Sequence, residues 1–163
     1  MEKTLKTLAE KTVALLKERD LKIATAESCT GGMLSSLITD VSGASQIFSL
    51  GICAYSCEIK NEILGVSGKT LSKYGAVSEA TAQEMAENIR LKAAADIGVS
   101  VTGVAGPSTS EGKPVGLVFI ALSSKDHTIV KELNIKPQGR DFVKKSALVE
   151  LLNLVCIFLQ NGV

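Results

Sequence analysis

The feature that most restricts the fold is the way short strand-like runs give way to helical periodicity through polar, glycine-bearing turns. Residues 22–26 end apolar, break at Glu27-Ser28-Cys29-Thr30-Gly31-Gly32, and resume as a helix pattern through Leu34, Leu37 and Ile38. Before them, Leu5, Leu8, Val13, Leu15 and Leu16 recur at helical spacing over residues 2–19, between lysines and glutamates. Residues 47–55 (IFSLGICAY) carry no charge and many β-formers, which predicts a buried central strand. A short helix is expected over 58–64. Residues 65–75 hold three glycines and read as a loop with room for one helical turn. Ser78 then caps a helix running to about residue 94, with Glu79 favouring its positive end.

Residues 97–104 predict a strand that stops at Gly103-Val104-Ala105-Gly106-Pro107, where glycines and proline force a turn. Residues 115–122 and 128–135 read as an antiparallel hairpin, and 139–159 as a closing helix. Strands separated by helices make this an α/β protein. The expected architecture is a three-layer α/β/α sandwich with a mixed, mostly parallel sheet, the hairpin adding one antiparallel strand. No repeat, low-complexity tract or long linker divides the 163 residues, so one domain over 1–163 is expected.

Composition narrows the function. Aromatics make up 4% of the chain, so the core must be built from Ala, Val, Ile and Leu. Lysine plus arginine number 18 against 17 acidic residues, which provides no global field for nucleic acid or an anionic membrane. An anionic small molecule would have to be held by a local site. The first twenty residues are too charged for a signal peptide, and no run of about 18 apolar residues follows, so a cytoplasmic protein is expected. Four cysteines in a chain this long are expected as free thiols. With His127 the one histidine, Cys53 and Cys57 are not expected to hold a metal. The apolar side of the last helix suits a homo-oligomer as well as it suits a core.

In open α/β sheets the ligand crevice lies beyond the carboxyl ends of the parallel strands. Three polar loops fall there: Glu27 to Gly32, the Tyr55-Ser56-Cys57-Glu58-Ile59-Lys60 segment, and Val101 to Pro107 with Lys113-Pro114-Val115-Gly116. Small residues in the first let backbone N–H groups approach an anion or oxyanion. A serine needs a base, and His127 sits in a hairpin turn, which argues against a Ser-His-Asp arrangement. Lysine is the remaining base, provided burial lowers its pKa, and Lys60 follows the most apolar strand. On one continuous helix Tyr55 and Lys60 would splay by about 140°. They converge only if a strand ends near Tyr55 and Lys60 lies on the next helical turn. Each residue also has a plain structural reading: Ser28 as a helix cap, Tyr55 as a half-buried strand end, Lys60 and Lys113 as surface charges, Arg140 as a capping residue.

The run Thr25-Ala26-Glu27-Ser28-Cys29-Thr30-Gly31-Gly32, with Gly75-Ala76-Val77-Ser78-Glu79, Thr102-Gly103-Val104-Ala105-Gly106-Pro107 and Lys113-Pro114-Val115-Gly116, resembles the CinA C-terminal domain family over nearly the whole chain. The resemblance implies an α/β/α sandwich that hydrolyses nicotinamide mononucleotide to nicotinic acid mononucleotide and ammonia, without a metal or other cofactor. It implies a catalytic serine, tyrosine and lysine at Ser28, Tyr55 and Lys60. Substrate contacts are expected from Glu27, Cys29, Thr30, Gly31, Gly32, Thr102, Gly103, Gly106, Lys113 and Arg140, with Lys113, Arg140 and the 102–106 turn on the phosphate. A stand-alone form is expected, without the N-terminal domain of longer relatives. Cys57 stands where Asn is commoner in the family, and Tyr74 where His is. Two other readings compete: Cys29 as nucleophile assisted by Glu27 and Lys60, and a catalytically silent nucleotide-binding module with a regulatory role.

Overall fold

Strand β3 (Ile97–Gly103) sorts its side chains by size, and that sorting sets the layers. Ile97, Val99 and Val101 enter the larger apolar cluster on one face. Gly98, Ser100 and Thr102 alternate with them and present little bulk to the other. Helix α5 (Glu79–Lys92) lies over that second face so closely that a Cβ at Gly98 would meet the Ala86 carbonyl oxygen at 2.2 Å. The Ser100 hydroxyl donates to the Ala82 carbonyl at 2.6 Å, so the small face is also a polar tether. The computed structural model describes residues 1–161.

Around β3 the chain runs α1 (Glu2–Glu18), β1 (Ile23–Glu27), α2 (Met33–Thr39), a short 3-10 turn at Ala44–Gln46, β2 (Phe48–Cys53), α3 (Cys57–Glu62), α4 (Gly68–Tyr74) and α5. After β3 come β4 (Leu117–Ser123), β5 (Thr128–Asn134) and α6 (Arg140–Asn161). The five-stranded sheet has the order β2-β1-β3-β4-β5. β1 pairs parallel with β2 and β3, while β4 is antiparallel to both β3 and β5, so β4 alone runs against the rest. Helices α1, α2 and α6 cover one face, and α5 with α4 covers the other. This is the expected α/β/α sandwich with a mixed sheet. No helix among the described residues is long and apolar enough to cross a membrane.

Two expectations need correction. The uncharged 47–55 segment is an edge strand, not a central one, and its residues alternate between half-buried and exposed. The shorter β1 lies inside the sheet, between β2 and the central β3, because the chain leaves it outward to β2 and returns on its other side to β3, which leaves all five β1 residues buried. Residues 68–74, expected within a loop holding one helical turn, form the longer helix α4. Its first turn is held from outside: the Glu84 carboxylate on α5 accepts from the Ser67 backbone N–H at 2.6 Å and from the Thr70 hydroxyl. Propensity with a glycine at the first position does not reveal a helix that a distant carboxylate stabilises.

Candidate active site

The switch of direction about β1 puts a crevice at its carboxyl end, and Ser28 is the first residue beyond that end. Both neighbours grip it there. The Ser28 N–H donates to the Val101 carbonyl at 3.0 Å, and the Ala54 N–H donates to the Glu27 carbonyl at 2.8 Å. Beneath the turn, the buried Glu27 carboxylate accepts five bonds. They come from the Thr30 hydroxyl at 2.7 Å, the N–H groups of Gly32, Leu34 and Ser35 at 3.1, 3.0 and 2.9 Å, and the Ser35 hydroxyl at 2.8 Å. Gly31 and Gly32 make the bend with φ of +65° and +92°, where a Cβ would be strained. Glu27 thus neutralises the start of α2 from below.

Lys60 arrives from the next strand. β2 stops at Cys53, the Ser56 side chain accepts from the Ile59 N–H at 3.1 Å, and that cap starts α3. One helical turn later Lys60 points back under the strand end, fully buried. Its Nζ lies 2.9 Å from Ser28 Oγ, 2.7 Å from the Ala54 carbonyl and 3.4 Å from the Tyr55 carbonyl. Among the described residues, no carboxylate is among its hydrogen-bond partners. Burial pushes the Lys60 amine below the ordinary lysine value of 10.5, and the Glu111 carboxylate pulls less strongly the other way.

Ser28 and Lys60 open onto a cavity of about 310 Å³. Cys29, Tyr55, Thr102, Gly103, Gly106 and Arg140 line it as well, and they come from four separate stretches of chain. The Arg140 guanidinium spans the mouth, donating to the Gly106 carbonyl and, at 2.9 Å, to the Tyr55 hydroxyl. The Tyr55 hydroxyl therefore faces Arg140, while its backbone carbonyl faces Lys60. Burial pushes the Cys29 thiol up to about 12, which leaves no thiolate near neutral pH. His127 is exposed in the turn between β4 and β5, clear of the cavity.

The CinA C-terminal domain family matches residues 5–159. The chain belongs to that family. A putative competence-damage inducible protein of Caldanaerobacter subterraneus is 46% identical over 155 residues, covering 94% of this chain and 37% of its own length. A CinA-like protein of Thermotoga neapolitana is 49% identical over 148 residues, which is 90% of this chain and 36% of that protein. The chain thus spans little more than a third of the length of these curated relatives. Among solved structures, the competence damage-inducible protein A (ComA) of Klebsiella pneumoniae superposes with a TM-score of 0.94 at 31% identity, over 98% of this chain and 99% of that one. CihA from Agrobacterium tumefaciens gives 0.91 at 33% identity, with 96% of each chain covered.

Several residues marked in the sequence of this CinA domain stand behind the cavity rather than in it. Glu27, Thr30, Gly31 and Gly32 shape the serine turn without lining the pocket. Lys113, expected on a phosphate, also lies outside the lining; its ammonium donates to the Tyr74 and Val77 carbonyls at 2.8 and 2.6 Å and pairs with Glu111 at 3.4 Å. The Thr102 hydroxyl is likewise taken, by the Ala76 carbonyl at 2.7 Å. Sequence reasoning missed Ala76, Val77, Ser108 and Glu111 as cavity walls. The first two lie in the Gly75-Ala76-Val77 motif, which was a usable signal; nothing local marked Glu111.

Proposed function

We propose that this CinA domain is an amidohydrolase that converts nicotinamide mononucleotide to nicotinic acid mononucleotide and ammonia. One observation carries the chemistry: a buried lysine amine, without a carboxylate partner among the described residues, lies 2.9 Å from a serine hydroxyl at a cavity wall. The substrate comes from the family resemblance.

A neutral amine has two N–H donors and one lone pair. In Lys60 the donors satisfy the carbonyls of Ala54 and Tyr55, and the lone pair is left for the Ser28 proton. Lys60 takes that proton as Ser28 Oγ attacks the carboxamide carbon. The tetrahedral oxyanion needs donors. Gly31, Gly32, Leu34 and Ser35 already direct their N–H groups elsewhere, but that of Cys29, which lines the cavity, has no acceptor among the described residues. A preorganised donor of this kind contributes ~3 kcal/mol. Collapse breaks the C–N bond, the Lys60 ammonium returns its proton to the departing nitrogen, and ammonia leaves a serine ester. Water then attacks that ester and gives its proton to Lys60, which returns it to Ser28 Oγ as the C–O bond breaks, freeing the acid and restoring the neutral amine and the serine hydroxyl. Arg140, with the N–H groups of Ala105 and Gly106 that likewise lack acceptors, suits the phosphate. Tyr55 serves as the partner that orients Arg140.

Ammonia release from nicotinamide mononucleotide tests the reading. Ser28→Ala should lower kcat by about 10³-fold or more, and Cys29→Ala should keep most of it. The reverse pattern would transfer the reaction to the thiol, and saturable binding without ammonia would leave a nucleotide-binding module.

A further inference from the structure

The cavity carries charge of both signs, on different walls. Arg140 stands at the mouth, bound to Tyr55 and Gly106. Glu111 lines the cavity on the side of the Ala76–Val77 segment, which it meets from the 108–113 loop. The residue is exposed, but its carboxylate is held in place. Oε1 accepts from the Ala76 N–H at 3.0 Å, and Oε2 accepts from the Val77 N–H at 3.3 Å and faces Lys113 at 3.4 Å.

The loop holds Glu111 there at some cost. Its φ is +52°, in the left-handed region that residues with a side chain rarely adopt. Gly75 makes room opposite, since a Cβ at that position would meet Glu111 Oε2 at 2.4 Å and Lys113 Nζ at 2.9 Å. Lys113 does not line the cavity, because its ammonium faces the Tyr74 and Val77 carbonyls. The carboxylate is therefore the charged group of this wall that lines the cavity, its field partly offset by the Lys113 ammonium 3.4 Å behind it. Burial alone would raise the Glu111 pKa, but the two backbone bonds and Lys113 outweigh it and hold the carboxyl below the usual value, so the charge is present at neutral pH. A ligand that is anionic at one end meets Arg140; an acid on a second wall favours a ligand that is cationic elsewhere.

We infer that Glu111 is a specificity-determining residue that selects substrates whose amide is carried on a cationic ring. The inference rests on the amidohydrolase reading for the identity of the ligand, and extends it to the ring charge. The oxidised pyridinium nucleotide has that charge and an anionic phosphate. Its dihydro form keeps the same amide, ribose and phosphate but has a neutral ring, so the pair isolates the one variable Glu111 would sense.

The test measures binding and turnover separately. In the Ser28→Ala chain, calorimetric Kd values for nicotinamide mononucleotide and its dihydro form give a preference ratio, and Glu111→Gln should lower that ratio about tenfold, as expected for one charge pair in a partly wet site. Glu111→Asp, which retains the charge, should recover part of it. A structural loss would weaken both ligands alike and leave the ratio unmoved, so an unchanged ratio overturns the inference. If the Gln variant does not fold, raising the ionic strength on the Ser28→Ala chain replaces it: the preference should shrink with salt, and a salt-independent or absent preference overturns the inference. Preserved discrimination without ammonia from the unsubstituted chain would overturn the amidase reading and leave the ligand assignment standing. No binding of either nucleotide would sink both.

Discussion

At Lys60, removal from water works against the ammonium, and three oxygen atoms partly offset it. Its pKa is lowered from 10.5 by burial above all. For a base lowered in the folded state, the reactive form appears as pH rises through that lowered value. Plotted against pH, kcat/KM should therefore climb with unit slope and level off below 10.5. Lys60→Arg should be inactive at every pH in that range, because a guanidinium does not give up its proton. Stability carries the same sign. Between the folded pKa and the unfolded one the unfolded chain binds more protons, so the Lys60 contribution becomes less unfavourable as pH rises. The stability gap between Lys60→Met and the unsubstituted chain, read by denaturant melts, should shift in the latter's favour from neutral pH towards 10.5.

At the scale of elements, the site depends on how closely α5 approaches β3. Gly98, Ser100 and Thr102 form a strand face that brings α5 within hydrogen-bond reach at Ala82, and Ala76 just before the helix is tied by Thr102. Gly98→Ala would push its new methyl against the Ala86 carbonyl oxygen and the Arg90 Cβ at 2.6 Å. The expected cost is about 1–3 kcal/mol of unfolding free energy in a denaturant titration, the range found for overpacking. Because Ala76 and Val77 line the cavity, that shift should also raise KM. The Ser-Val-Thr alternation of β3 was legible as a strand. That its small residues face a helix was not, since a period of two reports alternation without saying what covers each face.

For the whole molecule, the larger apolar cluster lies on the α1, α2 and α6 side, away from the α5 face, and supports the sheet from behind. Leu151 and Leu152 of α6 are fully buried in it. Leu151→Ala should cost about 2–5 kcal/mol, which for a chain of this size lowers Tm by roughly 2–4 °C per kcal/mol. Activity per folded molecule should be retained below the transition, measured by ammonia release beside a thermal melt. By itself the sequence determined the alternation of strands and helices, the turn that presents Ser28, and the strand-to-helix step that turns Lys60 back towards it. These are properties of neighbouring residues: hydrophobic period, caps and positive-φ glycines. Only the tertiary structure decided that β3 holds the centre, β1 an inner place and β2 the edge, that Tyr55 faces Arg140, and that Lys113 braces a wall on which Glu111 is displayed. Those outcomes depend on crossover order and on contacts between residues 30 or more positions apart, and a local pattern carries no record of either.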